Sequence, residues 1–298
     1  MYIYNTSSVA PSSPSAIVSP ITENKIVPQI FHIQSLSQIS IDQPRGTLFY
    51  FDLDDTTFDF FSMVGSRAWR RYIVEATKKI DSSANWHDIF SYALAQKYPL
   101  KAVEEITSPF IKNLQSKGFV VCGLTSRERQ KWYDMDQSGI DALTVQQLST
   151  VDVNFNNGSL EKTYPHLAKD SEYFDGVFFA NLEPKGNYLL HLFEKSSKRP
   201  EKVIFIDDKL SQVESVADAL TKLGIPHECY LYSATDEKGK AFNPLIANIQ
   251  LYYFYESKGE KMLSDEEAEL IAKSNPEKNE NDYLKATLDI AKAQKSLK

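Results

Sequence analysis

The chain has 298 residues and a formal net charge of −7, from 33 Lys and Arg against 40 Asp and Glu. With 42 % hydrophobic residues and two cysteines, it can bury a core, is no disulfide-stapled mini-fold, and holds no apolar run near the roughly 20 residues that span a bilayer. The acidic balance argues against a general nucleic-acid binder, and it should repel phosphorylated ligands unless a site brings its own cations.

Residues 1–29 are rich in Ser, Pro and Thr, including Thr6, Ser7, Ser8, Pro11, Ser12, Ser13 and Pro14. Such a stretch buries too little apolar surface to offset its ordering entropy, so it is expected to be disordered. It lacks the basic start and apolar run of a secretory signal. Residues 30–258 make up the main domain, and from 47 to 233 it alternates apolar runs with amphipathic stretches. The runs are 47–53 (TLFYFDL), 119–124 (FVVCGL), 174–179 (FDGVFF), 202–206 (KVIFI) and 228–232 (ECYLY). They are continuous, as strands covered on both faces are. Helical patterns occupy 102–116, 186–196 and 210–223. This alternation predicts a doubly wound α/β domain with a parallel sheet. After about residue 258 the composition turns charged. Ser264-Asp265-Glu266-Glu267 has a capping-box pattern, the polar stretch 275–282 breaks that helix, and a last helix covers about 283–296. The 259–298 tail is expected to be a solvated helical appendage, with partner binding as the alternative.

Ligands of such sheets sit outside the carboxyl ends of the strands. The first run ends in Asp52-Leu53-Asp54-Asp55-Thr56-Thr57, which alone could be an acidic turn. The second ends in Thr125-Ser126-Arg127, where a hydroxyl could simply cap the next helix. After the third comes Lys185 at a helix start, a place the helix dipole disfavours for a cation unless something anionic is nearby. The fourth ends in Asp207-Asp208, adjacent carboxylates that repel unless they share a cation. Each feature is weak by itself. Together they converge on one sheet edge, where the carboxylates make an oxygen-only site suited to Mg²⁺.

Asp52, Asp54 and Thr56 as DxDxT, followed by Thr125, Lys185 and the Asp207-Asp208 pair, resemble the full motif set of the haloacid dehalogenase (HAD) superfamily over roughly 47–233. LTSR, PKG and FIDDK further resemble a branch from intracellular bacteria that includes translocated effectors. The resemblance implies a Rossmann-like sheet with a small helical cap and phosphatase activity. Asp52 would be the nucleophile and Asp54 the acid and base, and that second carboxylate favours phosphate esters over halides. Mg²⁺ would be held by Asp52, the Asp54 carbonyl and Asp208, supported by Asp207. Thr125 and Lys185 would hold the phosphoryl group, with Thr56, Ser126 and Arg127 near the substrate. A further acid common four residues after the metal-binding Asp is absent; Gln212 stands there.

Arg127 is equally a structural ion-pair candidate. Cys122 and Cys229 lie inside strands and read as buried; Arg127 follows Cys122 one residue too early for a CxxxxxR nucleophile. No two histidines have metal-ligand spacing. Between 58 and about 100 there is room for a small cap, rich in Phe58, Phe60, Phe61, Trp69, Tyr72, Trp86, Phe90 and Tyr92, most of which should pack its own core. The connection 126–171, with Trp132, Tyr133 and Asn156-Asn157-Gly158, is expected to add a substrate-facing loop or a β-hairpin. A small cap implies an open site, so phosphotyrosine in protein is the favoured substrate. The alternatives are a sugar- or nucleotide-phosphate phosphatase and an inactive HAD-fold binding protein. The expected location is cytoplasmic, or a host cell for an effector.

Overall fold

The structure, a computed structural model, describes residues 28–132 and 139–295. The N-terminal stretch up to residue 27, Tyr133 and Ser296, where the last helix was expected to end, lie outside the described residues. In chain order the elements are β1 (Ile30–Ile33), β2 (Thr47–Phe51), β3 (Phe58–Phe60), α1 (Arg67–Ile80), α2 (Trp86–Lys97), β4 (Leu100–Ala102) and α3 (Thr107–Ser116). There follow β5 (Val120–Thr125), α4 (Ile140–Thr150), α5 (Ser159–Thr163), β6 (Tyr173–Phe174), β7 (Val177–Phe179), α6 (Lys185–Glu194) and β8 (Lys202–Asp207). The chain continues with α7 (Leu210–Lys222), β9 (His227–Tyr232), α8 (Asp236–Lys240), α9 (Pro244–Glu256), α10 (Asp265–Ser274) and α11 (Glu280–Lys295).

Seven strands form one sheet in the order β1-β9-β8-β2-β5-β7-β6, parallel except for β6. Successive strand residues point to opposite faces. Phe49 and Phe51 enter one core with Ile204, Ile206 and α3 residues Ile111 and Leu114. Leu48 and Tyr50 enter the other with Val203, Phe205 and residues of α6 and α7. Both faces are therefore covered, which explains the unbroken apolar runs. The chain leaves β2 toward β5 on one side and returns to β8 on the other, so a crevice opens beside β2 at the carboxyl edge. α6 and α7 approach so closely that a Cβ on Gly186 would lie 1.9 Å from the Ser215 carbonyl oxygen.

The run at 174–179 is not one strand. Asp175 and Gly176 both take left-handed φ, 46° and 90°, and make a two-residue turn between antiparallel β6 and β7. β1, which pairs with β9, was not anticipated. Residues 102–116 are helical only from Thr107, because Leu100–Ala102 pairs antiparallel with Phe58–Phe60. Asn156-Asn157-Gly158 opens α5 through a left-handed Gly158 (φ 73°) and forms no hairpin.

The largest departure is the cap. α1 and α2 stand on the β3–β4 ribbon, but they do not make a core alone. Trp69, Ile73, Trp86, Phe90 and Leu94 pack with Leu251 and Phe254 of α9 and with Leu284, Leu288 and Ala291 of α11. The C-terminal helices are thus not a solvated appendage. α10 does open with the expected capping box of Ser264 and Glu267, yet it and α11 lie against α9 and bury Ala268 and Tyr283. The helical layer that includes α1 and α2 therefore extends beyond the 58–100 insert expected as a small cap.

Candidate functional site

Three neighbouring strands deliver the polar residues. Asp52 follows β2, and its N–H donates to the Ile206 carbonyl at 2.9 Å. Thr125 and Asp207 are the last residues of β5 and β8. The chain after Asp52 coils tightly: the N–H groups of Thr57 and Phe58 both donate to the Leu53 carbonyl, and Thr57 Oγ1 donates to the Asp52 carbonyl at 2.6 Å. Asp55 takes a left-handed φ of 64° within this turn.

The Lys185 ammonium, 1 % exposed, donates to Asp207 Oδ2 at 2.6 Å and to Asp52 Oδ1. Asp207 Oδ1 accepts the Lys209 N–H at 2.8 Å. Carboxylate oxygens of Asp52, Asp207 and Asp208 lie within 4.8 Å of one another. Burial and the nearby Asp52 carboxylate push Asp207 up to about 6. Burial, Asp52, Asp55 and Asp207 push Asp208 up to about 8. Burial alone would lower Lys185, but Asp207 and Asp52 outweigh it and raise the amine. Three buried carboxylates are thus held together by one ammonium and by Arg67, whose Nη1 donates to Asp208 Oδ2 at 2.8 Å. Asp208 Oδ1 is buried without a hydrogen-bond partner. A dense, oxygen-only donor set with one orphaned carboxylate oxygen fits a hard cation such as Mg²⁺.

Asp54 is turned away from that cluster. Arg127 grips it with both arms of the guanidinium, Nε to Oδ2 at 2.9 Å and Nη2 to Oδ1 at 2.8 Å. Burial would raise Asp54, but Arg127 overrides it and holds the carboxyl below the usual carboxylate range. Arg127 therefore has its structural ion pair, and its guanidinium also lies 5.4 Å from the Phe58 ring. Thr125 Oγ1 accepts the Arg127 N–H at 3.2 Å, which leaves its own proton free to donate. Ser126 Oγ receives Gln212 Nε2 at 3.3 Å, while Gln212 Oε1 accepts the Lys185 N–H at 2.9 Å. Gln212, standing where a further acid was absent, thus ties α6 to the Ser126 loop. Thr56 is fully buried, with its hydroxyl unpartnered, and is not part of the cavity wall.

A cavity of about 120 Å³ opens over Asp52, Asp54, Thr125 and Ser126. Its cap side is Phe60, Trp69, Ser91 and Leu94; Leu182 and Lys209 also line it. Trp69 Nε1 and Ser91 Oγ are buried without partners. Phe58 and Phe60 are buried and Phe61 is exposed. Burial raises Cys122 well above the ordinary thiol value and Cys229 to about 12, so neither is an activated nucleophile. Arg67 and Arg70 went unnoticed in the sequence. The signal that singled out Lys185, a cation in a first helical turn, applies equally to them.

The chain belongs to the family described as "Protein of unknown function (DUF2608)", whose model matches residues 29–269. It is 24 % identical over 268 residues to a "Putative outer membrane protein" of Chlamydia trachomatis, covering 89 % of this chain and 96 % of the relative. A protein with the same name from Chlamydia muridarum is 24 % identical over 265 residues, 88 % of this chain and 95 % of its own. One from Chlamydia pneumoniae is 23 % identical over 248 residues, 78 % and 87 %. No solved structure gives a significant match. Among the described residues, no helix is long and apolar enough to cross a membrane.

Proposed function

We propose that the chain is a Mg²⁺-dependent phosphatase of HAD type that hydrolyses phosphate monoesters through an aspartyl-phosphate on Asp52. The observation that carries this is the Lys185 ammonium bridging Asp52 and Asp207, with Asp208 beside them, at the carboxyl edge of adjacent parallel strands. Mg²⁺, held by Asp52, Asp208 and Asp207, would shield phosphoryl charge. Lys185, paired with Asp52, neutralises charge on that carboxylate and on the oxygens of the bound ester. An Asp52 oxygen attacks phosphorus and the ester P–O bond breaks. Asp54 gives its proton to the leaving oxygen, and later takes one from the water that splits the acyl phosphate and frees inorganic phosphate. For this, Asp54 must exchange its Arg127 partner for a proton. An incoming phosphate dianion, which pairs well with a guanidinium fork, gives Arg127 a competing partner. Thr125 Oγ1 has its proton available for a phosphate oxygen.

The larger cap favours a second reading of the substrate. A phosphotyrosyl protein suits a site under a small lid, whereas α9 and α11 complete this one. A cavity of about 120 Å³ with unpartnered Trp69 Nε1 and Ser91 Oγ suits a compact phosphate ester that carries hydrogen-bonding groups of its own. Hydrolysis of p-nitrophenyl phosphate tests the chemistry: it should require Mg²⁺ and be lost in Asp52→Asn. Persistence in that variant or in excess chelator rejects it. A panel of phosphopeptides and small phosphate esters, ranked by kcat/KM, separates the two substrate readings. Metal binding without any turnover would point instead to an inactive binding protein.

A further inference from the structure

Two arginines in the first turns of α1 reach from the cap to the core. Arg67 Nη1 donates to Asp208 Oδ2 at 2.8 Å and to the Asp208 main-chain oxygen at 3.2 Å. Arg70, three residues on and on the same helix face, pairs with Asp55 and donates to the Gly65 carbonyl. A guanidinium here works against the helix dipole, so an anionic partner has to offset its position. The partner of Arg67 is one of the three clustered carboxylates. The arginine takes Oδ2 and leaves Oδ1 as the oxygen without a protein partner.

We propose that Arg67 is a positioning residue of the metal centre: through Asp208, the cap fixes the carboxylate rotamer that the cation needs, so cap docking and cation loading favour each other. The inference rests on the cluster being the Mg²⁺ site of the reading above, and not on the phosphate chemistry. Two effects of opposite sign compete. A positive charge beside the ion weakens its binding, whereas a held carboxylate pays less ordering entropy on ligation. The geometry favours the second, because the guanidinium takes Oδ2 and leaves Oδ1 open to an ion. Outer-shell partners of metal ligands are worth about 10–100-fold in affinity. Coupling of this kind is reciprocal, so the ion must tighten the cap as much as the cap tightens the ion.

Calorimetric titration of the full chain with Mn²⁺ and Mg²⁺ tests this. Arg67→Met should raise Kd by 10–100-fold. Arg71→Gln, which removes the same charge from an exposed position on the same helix, should change it less than twofold. Amide exchange across α1 and α2 should slow when Mg²⁺ binds the wild type and respond much less in Arg67→Met. If Arg67→Met does not fold, Arg67→Lys keeps the charge and should show a smaller loss in the same direction. Unchanged or tighter binding without the Arg67 guanidinium overturns the inference, as does an equal loss in Arg71→Gln. A wild type that binds no divalent ion overturns it together with the metal site. A wild type that binds the ion with the expected ordering of variants, yet hydrolyses no phosphate ester, overturns the phosphatase alone.

Discussion

Replacing Lys185 by Met removes a buried charge while keeping nearly the same volume and aliphatic stem. The ammonium is 1 % exposed and its partners Asp52 and Asp207 are 6 % and 0 % exposed. Removing one partner of a buried ion pair costs about 3–5 kcal/mol, because the remaining charge has neither water nor counter-ion. At a urea slope of about 3 kcal/mol/M, that moves the unfolding midpoint down by roughly 1–1.7 M. The loss depends on pH. Asp207 already sits at about 6 with the lysine present; a carboxyl raised in the folded state destabilises above its unfolded value, so stability returns as pH falls and the folded protein takes up the proton. The full loss is expected at pH 8 in chelator and a smaller one at pH 5. Added Mg²⁺ should restore about 2.7 kcal/mol at a hundredfold excess over its Kd. Urea unfolding followed by circular dichroism, at both pH values and with or without Mg²⁺, reads all three effects. A loss under about 1 kcal/mol at pH 8 in chelator would refute the idea that this ammonium holds the carboxylates together.

Gly186→Ala would place a methyl 1.9 Å from the Ser215 carbonyl oxygen; overpacking of about 1–3 kcal/mol should lower Tm by several degrees and displace the helix that starts at Lys185, reducing ester turnover. Leu288→Ala, at a position 1 % exposed, should cost roughly 2–5 kcal/mol in urea unfolding, where a solvated tail would tolerate it. His227 is lowered by burial, with partial compensation from the Ile225 carbonyl. The unfolded chain therefore takes up its proton first as pH falls below about 6.5, and stability falls with it; His227→Gln should flatten the urea midpoints between pH 7.5 and 5.5.

What could be read in the amino-acid sequence is what local chemistry repeats. Residues 47–53, 119–124, 202–206 and 228–232 are dense enough in apolar side chains to mark strands, and the polar residues at their ends fall together for that reason. Asp52, Thr125, Lys185, Asp207 and Asp208 were accessible in this way. IFHI at β1 is too short and too close to a Ser/Pro-rich stretch to stand out. The turn at Asp175-Gly176 is only two residues, easily absorbed into one run. In α11, Leu284, Leu288 and Ala291 make an apolar seam inside an otherwise charged helix, a stripe whose meaning depends on α9 and Phe90 being opposite it. The pairing of Asp54 with Arg127 joins residues 73 apart in sequence, which no spacing rule connects.

The order of the cap's parts along the chain has a consequence for biosynthesis. Trp69, Trp86 and Phe90 emerge from the ribosome before the strands β5 to β9, whereas Leu284 and Leu288, which pack with them, emerge only after the whole sheet. Until they do, the nascent protein presents an aromatic surface with no cover, a natural ligand for chaperones and a seed for aggregation. The sheet and its carboxylates can form before that cover arrives, but the roof over them cannot. Any pause or premature stop before residue 280 should therefore leave an open, sticky intermediate and not a smaller working unit.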